Sequence, residues 1–362
     1  MNNFKKVGLS ALAGSLAMVS AQAVEYSVAG DAQAVYSSAQ GNENATEASN
    51  GKGIGVDTDL AFTGSGDLDN GWSWSYAVDY DPSDSAATAS DGNANGVDDS
   101  QLKVTTPYGT FGAFITEGGM RAENAASQSV YGRPSDIGVS TGLTAGYDID
   151  SYNNIQYHTP AGILPFGITA KVGYATGLSN NINSSNAVGE APSSAGDAAT
   201  IYRVDATPLD GLTVGADYFQ INGAKLDGSD TVMVQSGESG SVYATYAFGA
   251  AKVGASKTYI APTISRTATE EIGSTIRETA NTKYSIAYNL NDATSISYEK
   301  EKSATTAILN STAVYDQSSY AIELAHNLGG MTIGVVYAQH DNVGYRNNND
   351  IDQVLLSVNM AF

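Results

Sequence analysis

The segment Asp91-Gly92-Asn93-Ala94-Asn95-Gly96-Val97-Asp98-Asp99 carries the most chemical-looking spacing in the chain. Oxygen-bearing side chains at its first, third and fifth positions, a glycine at the sixth and a carboxylate at the ninth match the opening of a calcium loop. Asp91, Asn93, Asn95, Asp99 and the carbonyl of Val97 are the expected ligands. The twelfth position is Leu102 and not a bidentate Glu, so the match is partial. The competing reading is an Asn/Asp/Gly-rich surface loop. No other cofactor is expected. Catalysis finds little support. The histidines are His158, His326 and His340. Asp341 follows His340, but adjacent residues on a strand face opposite ways. No Ser-His-acid constellation assembles, and there is no glycine-rich phosphate loop or His-metal spacing. Cysteine is absent, which removes thiolate nucleophiles, thiolate metal sites and disulfides. The chain is expected not to be an enzyme.

The elements that would position any site are legible at both ends. Lys5 and Lys6, the apolar run Val7 to Val19 and the small residues Ala21 and Ala23 around Gln22 form a secretory signal peptide over 1–23. The expected mature region, 24–362, ends on an alternating strand. Val354, Leu356, Val358, Met360 and Phe362 share one face; Gln353, Ser357 and Asn359 share the other, with Leu355 as an exception. An apolar stripe ending on an aromatic residue suits a strand that seals a membrane barrel, one side toward lipid and one toward water.

Charge and hydropathy agree. There are 17 Lys+Arg against 38 Asp+Glu, a net charge of −21 that becomes −23 without Lys5 and Lys6. So acidic a chain repels phosphate backbones, which argues against nucleic-acid binding. Nothing after the signal approaches the run of about 18 apolar residues that a spanning helix needs. From Val24 onward the chain breaks into about sixteen alternating segments of roughly ten residues, the length of a tilted membrane strand. Short connections such as Asp69-Asn70-Gly71, Pro107-Tyr108, Asp210-Gly211 and Gly329-Gly330 carry hairpin chemistry. They alternate with long ones, the longest being 118–152. Aromatics gather where strands end, as interfacial belts require. The predicted fold is all-β, a 16-stranded antiparallel transmembrane barrel.

The chain resembles the general (non-specific) trimeric porins of Gram-negative bacteria. The resemblance rests on the signal peptide, the strand count, the Lys103-Val104-Thr105-Thr106-Pro107-Tyr108-Gly109-Thr110-Phe111-Gly112 hairpin, Tyr157-His158-Thr159-Pro160, and the terminal Val358-Asn359-Met360-Ala361-Phe362. It implies a third loop folded into the lumen, with acidic groups facing a basic wall. Carried over by position, the loop side is Glu117, Glu123, Asp136 and Asp148, with Asp150 nearby. By strand parity the wall side is Lys103, Lys171, Arg203, Lys252 and Lys283. These bases are scattered over five strands and are mostly Lys, where the family has a tighter Arg cluster. The resemblance further implies a homotrimer embedded in outer-membrane lipid, and recognition of the strand ending at Phe362 by the barrel-insertion machinery.

The leading expectation is an outer-membrane diffusion channel for ions and small hydrophilic solutes, with a modest cation preference. The alternatives are a substrate-selective porin, or a non-conducting barrel acting as an adhesin or structural surface protein.

Overall fold

In the computed structural model, the described residues are 24–42, 51–80, 97–176, 198–222, 232–266, 271–272, 276–307 and 315–362. The expected signal segment, 1–23, and Asp91, Asn93 and Asn95 of the expected calcium loop lie outside them. Val97 opens a strand, and Asp99 sits two residues further along it.

The alternating segments form strands because each has one face toward the inside and one toward the outside, and only closure satisfies every backbone edge in lipid. In chain order they are β1 (Glu25–Gly41), β2 (Gly51–Asp67), β3 (Ser73–Tyr80), β4 (Val97–Thr106), β5 (Gly109–Ile115), β6 (Asn154–His158), β7 (Thr169–Ala175), β8 (Ala198–Leu209) and β9 (Leu212–Asn222). After a short β10 (Val232–Gln235) come β11 (Glu238–Phe248) and β12 (Ala251–Ala261). Two further short strands, β13 (Ile264–Arg266) and β14 (Glu271–Ile272), precede β15 (Ile276–Asn291), β16 (Thr294–Ala307), β17 (Gln317–Asn327), β18 (Met331–Asp341) and β19 (Ile351–Ala361). Sixteen of these close an antiparallel barrel in which β1 pairs with β19. The predicted architecture is therefore the observed one. Pairing continues past β19, since the Phe362 amide donates to the Gly30 carbonyl at 2.8 Å.

β10, β13 and β14 make a separate three-stranded sheet within connections expected to be plain loops. Segments of two to four residues are too short to show alternation in the sequence. The Gln235 amide ties this sheet to the carbonyls of Pro262 and Arg277. β7 starts only at Thr169, because Phe166 and Gly167 adopt positive φ in a 3-10 turn behind Pro165.

Facing follows the terminal strand. Val354, Leu356, Met360 and Phe362 are outward and exposed, whereas Gln353, Leu355 and Ser357 are buried. Leu355, the apolar exception, points inward and packs with Ile137 of the third loop, Ala321, Val336 and Ala338.

Candidate functional site

The connection between β5 and β6, residues 116–153, is the third loop, and it lies inside the barrel. Thr116 and Gly118 turn the chain inward with φ of 50° and 81°. A side chain at Gly118 would run into the Gln156 amide and the Phe114 ring. The Gln156 and Asn154 amides on β6 take up the carbonyls of Gly118 and Glu117. Asp148 clasps the loop's two limbs: its carboxylate accepts from the amides of Met120, Arg121 and Ile149 at 2.7–2.8 Å. Beneath the clasp, Met120 and Ile149 pack on Ala199, Ile201 and Phe219.

Irregular backbone at membrane depth survives only where protein satisfies its polar groups. The inner faces of the strands do this in turn. The Ala122 amide donates to Asp217 on β9 at 2.8 Å, and Ser256 on β12 donates to the Glu123 carbonyl at 2.9 Å. On β15, Ser285 donates to the Ala126 carbonyl and accepts from the Gln128 amide. Ser297 on β16 accepts from the Val130 amide at 2.9 Å, Glu301 from Ser135 at 2.8 Å, and Glu323 on β17 from Tyr131 at 3.1 Å. Gln353 on β19 accepts from Val139. Each such bond contributes about 1 kcal/mol net, and the set fixes the loop along half the circumference.

One ion pair lies at the centre of this seam. Glu123 is 0% exposed and Lys283 is 2% exposed. Lys283 Nζ lies 3.0 Å from Glu123 and 2.9 Å from Glu301. Glu123 also accepts from the Gly146 amide and from Asn281. Burial alone would raise its pKa; Lys283 and these donors outweigh burial and hold it below the usual value.

The sequence-predicted site residues therefore fall into distinct settings. Glu123 and Lys283 meet under the loop, away from lumen water. Asp148 is 8% exposed and is the loop's internal clasp. Asp136 is exposed and pairs with Arg133, three residues back. Arg203 is held bidentately by Asp205 at 2.8 and 3.0 Å and donates to the carbonyls of Met120 and Arg121. Lys103 and Lys171 are half-buried on the inner wall, and Lys252 is exposed on the inward face of β12. Lys171 pairs in register with both His158 and Arg203, so the bases of β7 and β8 adjoin each other. Glu117 accepts from Gln101 at 2.8 Å. Burial first and Asp79 second push its carboxyl above the ordinary range. Asp150 is raised likewise, by burial and then by Asp148.

Sequence reasoning passed over a row of wall acids. Asp31 stands opposite Asp59 and Gln33 opposite Asp57, so all four share the inward face. Gln33 reaches Tyr131 of the loop and Asn359 reaches Asp31, which fixes that face as inner. Asp79 on β3 and Asp99 on β4 continue the row, with Thr116 donating to Asp99 at 2.7 Å. Asp57 and Asp59 are exposed, while the inward residues of β15 to β17 under the loop are buried. The signal was present in the parity of Asp57, Asp59 and Asp79 opposite apolar neighbours. Among the described residues no cluster of His, Asp or Glu is arranged to hold a metal ion.

A sequence profile described as Gram-negative porin matches residues 8–348. No curated protein matches the chain. Among solved structures, an anion-selective porin from Comamonas acidovorans is similar at 16% identity and TM-score 0.64, covering 94% of this chain and 100% of that one. Salmonella typhi OmpF, in a complex with daunomycin, is similar at 14% identity and TM-score 0.62, covering 93% and 97%. The trimer form of OmpT, an outer-membrane protein of Vibrio cholerae, is similar at 13% identity and TM-score 0.57, covering 94% and 100%.

Proposed function

Because the chain belongs to the Gram-negative porin family, and so is an outer-membrane channel for small solutes, we propose that it is a non-specific diffusion pore with a modest cation preference. One observation carries the reading. The third loop lies against the wall from β8 to β19 and reaches Gln33 on β1, whereas Asp57 and Asp59 on the inward face of β2 stay exposed. A wet passage edged by the loop on one side and by carboxylates on the other admits hydrophilic solutes and raises the local cation concentration.

The preference is modest for two reasons. Glu123 and Asp148 are committed to docking the loop, so the negative field comes mainly from the wall acids, Glu117 and Asp150. Against these stand Lys103, Lys171 and Lys252 on the same inner surface. The anion-selective relative shares the fold, so the sign rests on these residues and not on the barrel. A reversal potential across a potassium chloride gradient tests it. A cation-selective sign that shrinks at high salt is expected, and an anion-selective sign refutes it.

The protein is further read as a homotrimer, exported by a cleaved signal over 1–23 and inserted through the strand ending at Phe362. Crosslinking in native membranes and the mass of the mature N-terminus test the first two.

A further inference from the structure

The outward faces of β15 to β19 are largely apolar and exposed, with Ile286, Ile322, Val335, Val354 and Leu356 meeting the bilayer core. One part of this wall departs from the pattern. Lys257 on β12 and Lys300 and Lys302 on β16 are exposed, and they share parity with the outward Tyr259 and Tyr298. Register places them together. Lys257 stands opposite Thr282 of β15, and Thr282 opposite Lys302; Tyr284 stands between Ala255 and Lys300. Strand spacing puts the backbones of Lys257 and Lys302 about 10 Å apart, and Lys300 about 7 Å along its strand from Lys302.

Below the lysines, toward the short turns, these strands and β11 form an apolar groove of about 470 Å³. Ala244, Val253 and Ala255 make its floor, and Tyr246, Tyr284, Ile286 and Tyr298 stand around it. Small outward residues between large ones create the depression. Carboxylates border this patch. Glu238 accepts from Tyr218, Glu278 accepts from Tyr259 and Thr306, and Asp316 lies 3.3 Å from Lys302. Asp352, further round on β19, accepts from Tyr337.

We propose that this wall binds one lipid whose phosphate-ester headgroup carries a net negative charge, its phosphate held by Lys257, Lys300 and Lys302 and an acyl chain seated in the groove below. Asp316 offsets only Lys302, and Glu238 and Glu278 lie about 14 Å further toward the long loops, so the charge of Lys257 and Lys300 calls for an anion. Cations at the interfacial level attract anionic headgroups, and lysine is tolerated on the lipid face only near that level. The groove asks for hydrocarbon within one lipid length of the charge. A free anion has no use for the groove, and a zwitterionic lipid gains little from the lysines. The site faces away from the lumen, so its failure leaves the channel reading untouched.

The test is native mass spectrometry of the intact refolded barrel in a neutral detergent, titrated with dipalmitoyl phosphatidic acid or dipalmitoyl phosphatidylcholine. The phosphatidic acid is expected to bind about tenfold more tightly or better, and inorganic phosphate should not displace it. Replacing all three lysines (K257Q, K300Q and K302Q together) should abolish the preference, and their replacement by Arg should keep it. Filling the groove with Ala255→Leu should lower retention of both lipids. If the triple Gln variant does not fold, the three single Gln variants decide, each losing part of the preference. Equal binding of the two lipids, displacement by phosphate, or an unchanged preference in the Gln variants overturns the proposal.

Discussion

Strand parity told which way Lys283 points, and the family resemblance put Glu123 on an inward loop, but neither told how deep they lie. Both were legible in the sequence as inward groups, Glu123 on the longest loop and Lys283 on a strand. Whether an inward group meets water or loop backbone depends on where residues 116–153 run. That path is set by partners such as Asp217, Glu323 and Gln353, far away in sequence. Because the pair is buried, removing one partner strands the other. Lys283→Met should destabilise the barrel by about 3–5 kcal/mol, measured by thermal unfolding in detergent. Adding Glu123→Gln to it should recover part of the loss. The pair also sets an acid limit. The Glu123 carboxyl is held below its ordinary value of 4.5, so its stabilisation is complete above that pH and is lost as pH falls through the lowered value. Single channels should keep a steady conductance at pH 5 and become noisy only in more acidic solution. Instability already at pH 6 would contradict the role given to Glu123.

Strands were the most legible elements, because a two-sided environment writes itself into every second residue. Leu356→Lys, outward near mid-height of β19, should cost roughly 2–4 kcal/mol in urea unfolding from lipid. The neighbouring Leu355 looked like a flaw in the pattern and is instead a contact for Ile137. The alternation was right, and the reason for its break lay in another element. The third loop itself was legible as a long connection, and its inward path came from family resemblance. Its close fit is visible only in three dimensions. Gly254 on β12 is one place where the fit is tight: an added Cβ would meet the Ala126 carbonyl of the loop backbone. Gly254→Ala should therefore push the loop off the wall and change single-channel conductance while the barrel remains heat-modifiable. An unchanged conductance would mean that the strand and not the loop gives way.

At the scale of the molecule, charge is distributed unevenly around the lumen, and net charge alone could not show this. The wall acids of β1 to β4 lie in different strands, and only the closed register aligns them. Glu117 and Asp150 take up protons at higher pH than ordinary carboxylates. The cation preference should therefore weaken as pH falls, starting above the ordinary carboxylate range, read as a shrinking reversal potential; a preference that grows would contradict the acidic side of the lumen. The way the third loop is fastened has a consequence in time. Tyr131 bonds Glu323 and Val139 bonds Gln353, contacts that span 192 and 214 residues of chain. Loop closure over such separations is entropically costly until the intervening strands have paired. The loop should thus dock last, after β1 meets β19, and every newly closed barrel should pass through a state with a wide, unguarded lumen. In a refolding time course, resistance of residues 116–153 to an added protease should lag behind the closed-barrel mobility shift. If protection of the loop came first, the narrowing would be a template for the barrel and not a late addition to it.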